Sequence, residues 1–152
     1  AYANDEDIEA YIATCTAIHG VRTRFIYAGL TALDIKCTEP EGAFYLTVNF
    51  DHWRSQLAAI GIQTSPQLAS YLLDEHDLAT LSCDAFGVDP AQLSLRLASS
   101  YLDMEQETDS QRLIALFENG ISDEEFMSDR HHPNVHAALD EFALFVQKIS
   151  SR

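Results

Sequence analysis

The chain has 152 residues, 47% of them apolar, with 24 acidic residues against 9 Lys and Arg and a formal net charge of −15. That length suits one domain able to bury most of its unfolded surface, and the apolar share excludes a disordered tail. The acidity argues against a phosphate-backbone partner, which needs clustered Lys and Arg, so no nucleic acid is expected. No apolar run approaches the roughly 20 residues of a membrane span, and no membrane is expected. Cys15, Cys37 and Cys83 are odd in number, far apart and free of any Cys-x-x-Cys pair. With no cationic, apolar leader in the sequence, they read as reduced cysteines of a cytoplasmic protein.

Asn4 suits a helix N-cap, with Asp5, Glu6 and Asp7 in the first turn. Ile8, Tyr11, Ile12, Cys15 and Ile18 follow at helical spacing and, after a shift, so do Phe25, Ile26, Leu30 and Leu33. One long or gently broken helix is predicted over 5–33, weakened by Gly20 and Gly29. A domain this small cannot cover it along its whole length, so it is expected to bridge to another domain or subunit. A short extended piece is predicted at 34–37, a turn at Pro40-Glu41-Gly42, and a strand over 43–50, rich in aromatic and β-branched residues. A short helix is predicted over 52–60 with Trp53, Leu57 and Ile60 on one side. Ser65 and Pro66 signal the next helix, with Ser65 as cap and Pro66 at the first helical position.

A strand is predicted over 78–83, a loop at 86–90 and a strand over 93–101. Residues 103–110 read as a polar surface connection and 111–117 as one or two helical turns. Ser122 to Glu125 read as a capping box, and Pro133 as the start of a last helix with an apolar stripe from Val135 to Ile149. The pattern predicts an α+β fold: a small, mainly antiparallel sheet covered on one face by helices, with a long N-terminal and an amphipathic C-terminal helix.

The 93–101 strand holds the most informative side chain. Leu93, Leu95 and Leu97 point one way; Ser94, Arg96 and Ala98 point the other. Arg96 needs a partner. An internal carboxylate is one candidate, and a ligand carboxylate, held by two parallel hydrogen bonds from the planar fork, is another. His132 and His136 stand four apart, a spacing that can suit a metal, but no third ligand is specified, and no metal is expected. Lys36 and Lys148 are the only lysines, and nothing in their context marks either as a low-pKa amine. No nucleophile motif and no phosphate-cradling glycine loop is present. No catalytic residue is therefore assigned.

Several stretches, taken together, resemble a known family. Pro40-Glu41-Gly42-Ala43-Phe44-Tyr45 is similar to the Pro-x-Gly-Ala-Phe-Tyr strand start of pyridoxal-phosphate (PLP) aminotransferases of classes I and II. Residues 70–81 resemble the helix and strand that follow, and Ala85-Phe86-Gly87 and Leu95-Arg96-Leu97-Ala98 come next in the same order. The resemblance covers essentially the whole chain. It points to the C-terminal (small) domain of a fold-type I, aspartate-aminotransferase-like enzyme, with residues 1–34 leading in from a large domain.

The resemblance implies that Arg96 binds the α-carboxylate of an amino acid or 2-oxo acid, and that Tyr45 and Phe44 lie near the substrate entrance. It implies PLP and a homodimer for the full-length parent, and a large PLP-binding domain of the same protein as partner. The family's Schiff-base lysine, cofactor-phosphate loop, pyridinium aspartate and ring-stacking aromatic have no counterpart in this chain. Cys83-Asp84 stands where the family usually has Pro-Gly before Ala85-Phe86-Gly87. The chain alone is expected to bind no PLP covalently and not to transaminate. Two other readings stand beside this one: a stand-alone, non-catalytic module binding a carboxylate metabolite or a protein partner, and an interaction domain in which Arg96 pairs internally. The face turned to a large domain would expose apolar residues of the first helix and the Tyr45 strand.

Overall fold

The computed structural model describes residues 6–42 and 44–151. The expected cap Asn4, the expected helix start at Asp5 and Ala43 lie outside the described residues.

Helix α1 spans Glu6–Ala32. Gly20 and Gly29 lie inside it without breaking it, and Gly29 is where the close approach of Leu139 leaves no room for a Cβ. The helix stops in a Schellman arrangement. Asp34 takes φ 60°, Ile35 N–H donates to Leu30 O at 3.2 Å and Asp34 N–H to Thr31 O at 3.1 Å. Leu30 and Ile35, the apolar pair that accompanies such a stop, are both buried. Strand β1 (Lys36–Cys37) and strand β2 (Tyr45–Asn49) follow, then a 310 turn at Asp51–Trp53 running into α2 (Arg54–Ala59).

Helix α3 (Ser65–His76) is capped by Thr64, not by the expected Ser65. Gln67 Oε1 accepts from Thr64 N–H while Thr64 Oγ1 accepts from Gln67 N–H, and Ser65 is buried with its N–H on Pro90 O. Pro66 therefore sits one position deeper than expected. Strand β3 is only Leu81–Ser82. Its expected first residue, Leu78, is taken by the helix stop, donating to Leu72 O at 3.0 Å, and its expected last residue, Cys83, opens a 310 turn at Cys83–Phe86. Strand β4 is Ser94–Ala98.

The sheet is antiparallel throughout, in the order β1-β2-β4-β3. The register sets Thr47 and Leu81 opposite Arg96, with Tyr45 opposite Ala98. Leu46, Val48 and Leu95 share the inner face and, with Leu93, join Leu68 and Leu72 of α3 and Phe142, Phe145 and Ile149 of the last helix in one core. At about 25 cal/mol per Å2 of apolar surface removed from water, this one-sided burial is the main force holding helices to sheet. The fold is the expected α+β layer, with helices on one face.

Helix α4 (Glu107–Glu118), α5 (Asp123–Phe126) and α6 (Pro133–Ser150) complete the chain. Helix α4 begins well before the expected residue 111, with Glu107 and Asp109 in its first turn, where carboxylates favour the positive helix end. Ser122 caps α5 by accepting from Glu125 N–H at 3.2 Å. A second core lies beneath α4 and α5, built from Ile18 and Val21 of α1 with Leu113, Phe126, Met127 and Val135.

Asp103 is not part of a polar surface connection. It is 6% exposed, takes φ 65°, and its two carboxylate oxygens accept from Asn134 N–H at 2.9 Å and Val135 N–H at 3.1 Å. It thus caps α6 from thirty residues upstream, where His132, next to the helix, makes no side-chain cap bond.

Candidate carboxylate-binding face

Alternation in β4 turns Arg96 away from the apolar core, onto the sheet face that helices leave uncovered. There its guanidinium carbon lies 4.3 Å from the centroid of the Tyr45 ring and 4.0 Å from that of Phe86. Tyr45 arrives from β2, where it is Arg96's diagonal neighbour across the ladder. Phe86 arrives from the 310 turn after β3, which ends at Gly87 with φ 84°, a left-handed conformation that suits glycine. Both rings are about half exposed, 44% for Tyr45 and 51% for Phe86, so the sandwich is open at its edge.

The guanidinium holds unspent hydrogen-bonding capacity. Arg96 Nε is buried without a partner. Among the described residues, the ion pairs are Arg54–Asp51, His76–Glu141 and His131–Glu125, and none involves Arg96. The internal carboxylate that one reading assigned to it is therefore not in place. Both rings pack against the guanidinium, and with Nε buried its terminal nitrogens are the donors left to meet a planar carboxylate. Cys83 lies near this cation. Burial pushes its thiol pKa up, and Arg96 opposes that rise.

The expected site residues separate by distance from Arg96. Tyr45 touches it; Phe44 does not. The Phe44 ring packs against His19 (5.6 Å between centroids) and Tyr45 (4.6 Å). Burial, and then the charge of Arg22, lower the His19 pKa. A cleft of about 740 Å3 opens behind Phe44, lined by His19, Arg24, Glu41, Phe117 and Asp123 among others. Its walls carry both signs of charge and do not include Arg96, so the sheet face, with one isolated cation, is the better carboxylate site.

Phe86 was missed as a site residue, although an exposed aromatic just before a turn glycine was a usable signal. Arg22 was missed altogether. It is fully buried, donating from Nε at 3.3 Å and from a terminal nitrogen at 3.1 Å to Ser99 O, and again to Leu102 O. Its signal was its place in the stripe Ile18, Arg22, Ile26, Leu30, at four-residue spacing. The two histidines raised as metal candidates turn to backbone carbonyls instead: His132 Nδ1–H donates to Phe126 O at 2.8 Å and His136 Nε2–H to Met127 O at 2.7 Å. No group of three or more metal-ligating side chains occurs among the described residues, and no described helix is long and apolar enough to cross a membrane.

Comparison with known proteins places the fold. The family model described as aminotransferase class I and II matches residues 1–108, and the chain belongs to that family. The fold is similar to that of a tetra mutant of Thermus thermophilus aspartate aminotransferase, with a TM-score of 0.59 and 21% identity over 93% of this chain and 28% of that one. A single mutant of the same enzyme matches with a TM-score of 0.59 and 21% identity, over 93% of this chain and 26% of that one. The chain thus spans between a quarter and a third of the length of these solved chains.

Full-length members of the family use PLP, but the residues present do not fit that cofactor by themselves. Lys36 is exposed on β1 opposite Asn49, at the far side of the sheet from β3. Lys148 is exposed in the last turn of α6, its Nζ 5.3 Å from the Tyr71 ring. Neither stands beside the Arg96 guanidinium, so neither amine is placed to hold the cofactor there.

Proposed function

We propose that the chain is the substrate-closing C-terminal domain of a PLP-dependent aminotransferase, acting on an amino acid/2-oxo acid pair, and that Arg96 anchors the α-carboxylate. The observation that carries this is the Arg96 cluster: a cation packed against the rings of Tyr45 and Phe86, with no internal carboxylate partner among the described residues. Tyr45 orients the fork, and Phe44 supports Tyr45 from behind.

A large domain of the same protein would supply the Schiff-base lysine and the cofactor, as well as the second wall of the site. Ile8, Tyr11 and Ile12, each more than half exposed on the first turns of α1, form an apolar stripe suited to that contact, and Tyr45 adds to the exposed apolar surface of the sheet. Closing the two domains on substrate would exclude water and strengthen the Arg96–carboxylate bond by lowering the local dielectric. In this reading the isolated chain binds carboxylates weakly and does not transaminate, and the full-length parent is a homodimer in the cytoplasm.

The test is an NMR-monitored titration of the chain with 2-oxoglutarate. Saturable shifts centred on Arg96, Tyr45 and Phe86 are expected. Arg96→Lys should weaken binding by about tenfold or more, because an ammonium cannot make the bidentate contact. Equal affinity in the two proteins would contradict the assignment.

A further inference from the structure

We propose that Thr23, acting through Ser99, is a positioning residue for the Arg96 site, an inference that rests on reading Arg96 as the carboxylate anchor. Ser99 directly follows β4 and is 2% exposed. All of its polar groups are engaged. Its N–H donates to Phe44 O at 2.8 Å, and its hydroxyl donates to the same carbonyl at 3.1 Å. Its own carbonyl receives Arg22.

The remaining contact joins Thr23 Oγ1 and Ser99 Oγ at 2.7 Å, and either hydroxyl can donate it. A carbonyl can only accept, so with the Ser99 proton on Phe44 O, Thr23 is the donor. The contacts link the Thr23 hydroxyl, Ser99 Oγ and the Phe44 carbonyl in a chain. Phe44 immediately precedes Tyr45, whose ladder partner Ala98 immediately precedes Ser99. The chain therefore closes the last rung beyond the Tyr45–Ala98 pair, at the end of the sheet where Tyr45 stacks on Arg96.

Arg22 and Thr23 are adjacent on α1, and they grip Ser99 by its carbonyl and its hydroxyl respectively. Any tilt of α1 is thus carried to the backbone on both sides of the Tyr45–Arg96 stack. In the proposed enzyme α1 is the helix leading in from the large domain, so domain movement and the angle of the carboxylate anchor are linked through this serine.

The test uses the Arg96 Nε–H resonance of the chain, which the nearby Tyr45 and Phe86 rings should shift away from the free-arginine position. Thr23→Val and Ser99→Ala should each move it toward that position, and Thr23→Ser should restore it, with the folded spectrum otherwise kept. Affinity for 2-oxoglutarate should fall in step, by about tenfold. An Nε–H resonance unchanged in both variants would overturn the proposal. The ring-shifted resonance does not depend on ligand. A wild-type chain that ignores 2-oxoglutarate would therefore defeat the carboxylate reading, while the resonance still decides the role of Thr23.

Discussion

Two arginines divide the molecule into a closed region and an open one. Arg22 lies in the seam between α1 and the start of the β4–α4 connection, fully buried, with two backbone carbonyls as acceptors. Burial lowers its pKa, and the nearby carboxylates of Asp103 and Glu105 offset that. Arg96 lies on the uncovered sheet face between two rings, and no described carboxylate forms an ion pair with it. Desolvating a guanidinium costs several kcal/mol, so a fold that buries one must bind it fully. Arg22 meets most of that condition from within the chain: two of its three nitrogens donate to backbone carbonyls, and Nη1 has no partner among the described residues. Arg96 has no hydrogen-bond acceptor among the described residues: its Nε is buried and unpartnered, and in the proposed reading what completes its terminal nitrogens comes from outside.

Breaking the closed region should have the largest effect. Arg22→Met leaves the Ser99 and Leu102 carbonyls and the Asp103 carboxylate without their cation, and urea denaturation should show a loss of roughly 3–5 kcal/mol.

The next effect concerns pH. His132 is fully buried, and burial, followed by the charge of Arg22, lowers its pKa from 6.5 to about 4. Between those values the unfolded chain binds a proton that the native chain refuses. Stability should therefore fall as pH drops from 6.5 to 4, and this contribution should level off below 4. The full effect is roughly 3 kcal/mol, at about 1.4 kcal/mol per pKa unit. The difference in unfolding free energy between wild type and His132→Gln, followed across that range, isolates it. A constant difference would mean that the ring is not held neutral, and that the closed region tolerates charge better than its burial implies.

The two regions also differ in how far they were legible in the sequence. The sheet and its core follow local rules. Alternation in Leu93–Leu97 placed Arg96 on the outer face, and capping and turn chemistry placed α3 to within a residue. The closed region rests on pairings that no local pattern displays. Asp103 caps a helix that begins thirty residues later, and Arg22 serves carbonyls nearly eighty residues away. The polar start of α4 read as loop because helix N-terminal turns and loops share Asp, Glu, Ser and Thr. Phe86 was visible as part of a motif, but its place over Arg96 depends on how β3 ends, where Cys83 leaves the ladder to open a 310 turn.

The most direct test of the central claim, that Arg96 is held for a ligand and not for the fold, is the unfolding free energy of Arg96→Ala without ligand. The account predicts a loss of about 2 kcal/mol or less, the scale of two partly exposed cation–π contacts, and well below that of Arg22→Met. A loss of roughly 3–5 kcal/mol would be the mark of a broken internal ion pair and would contradict it.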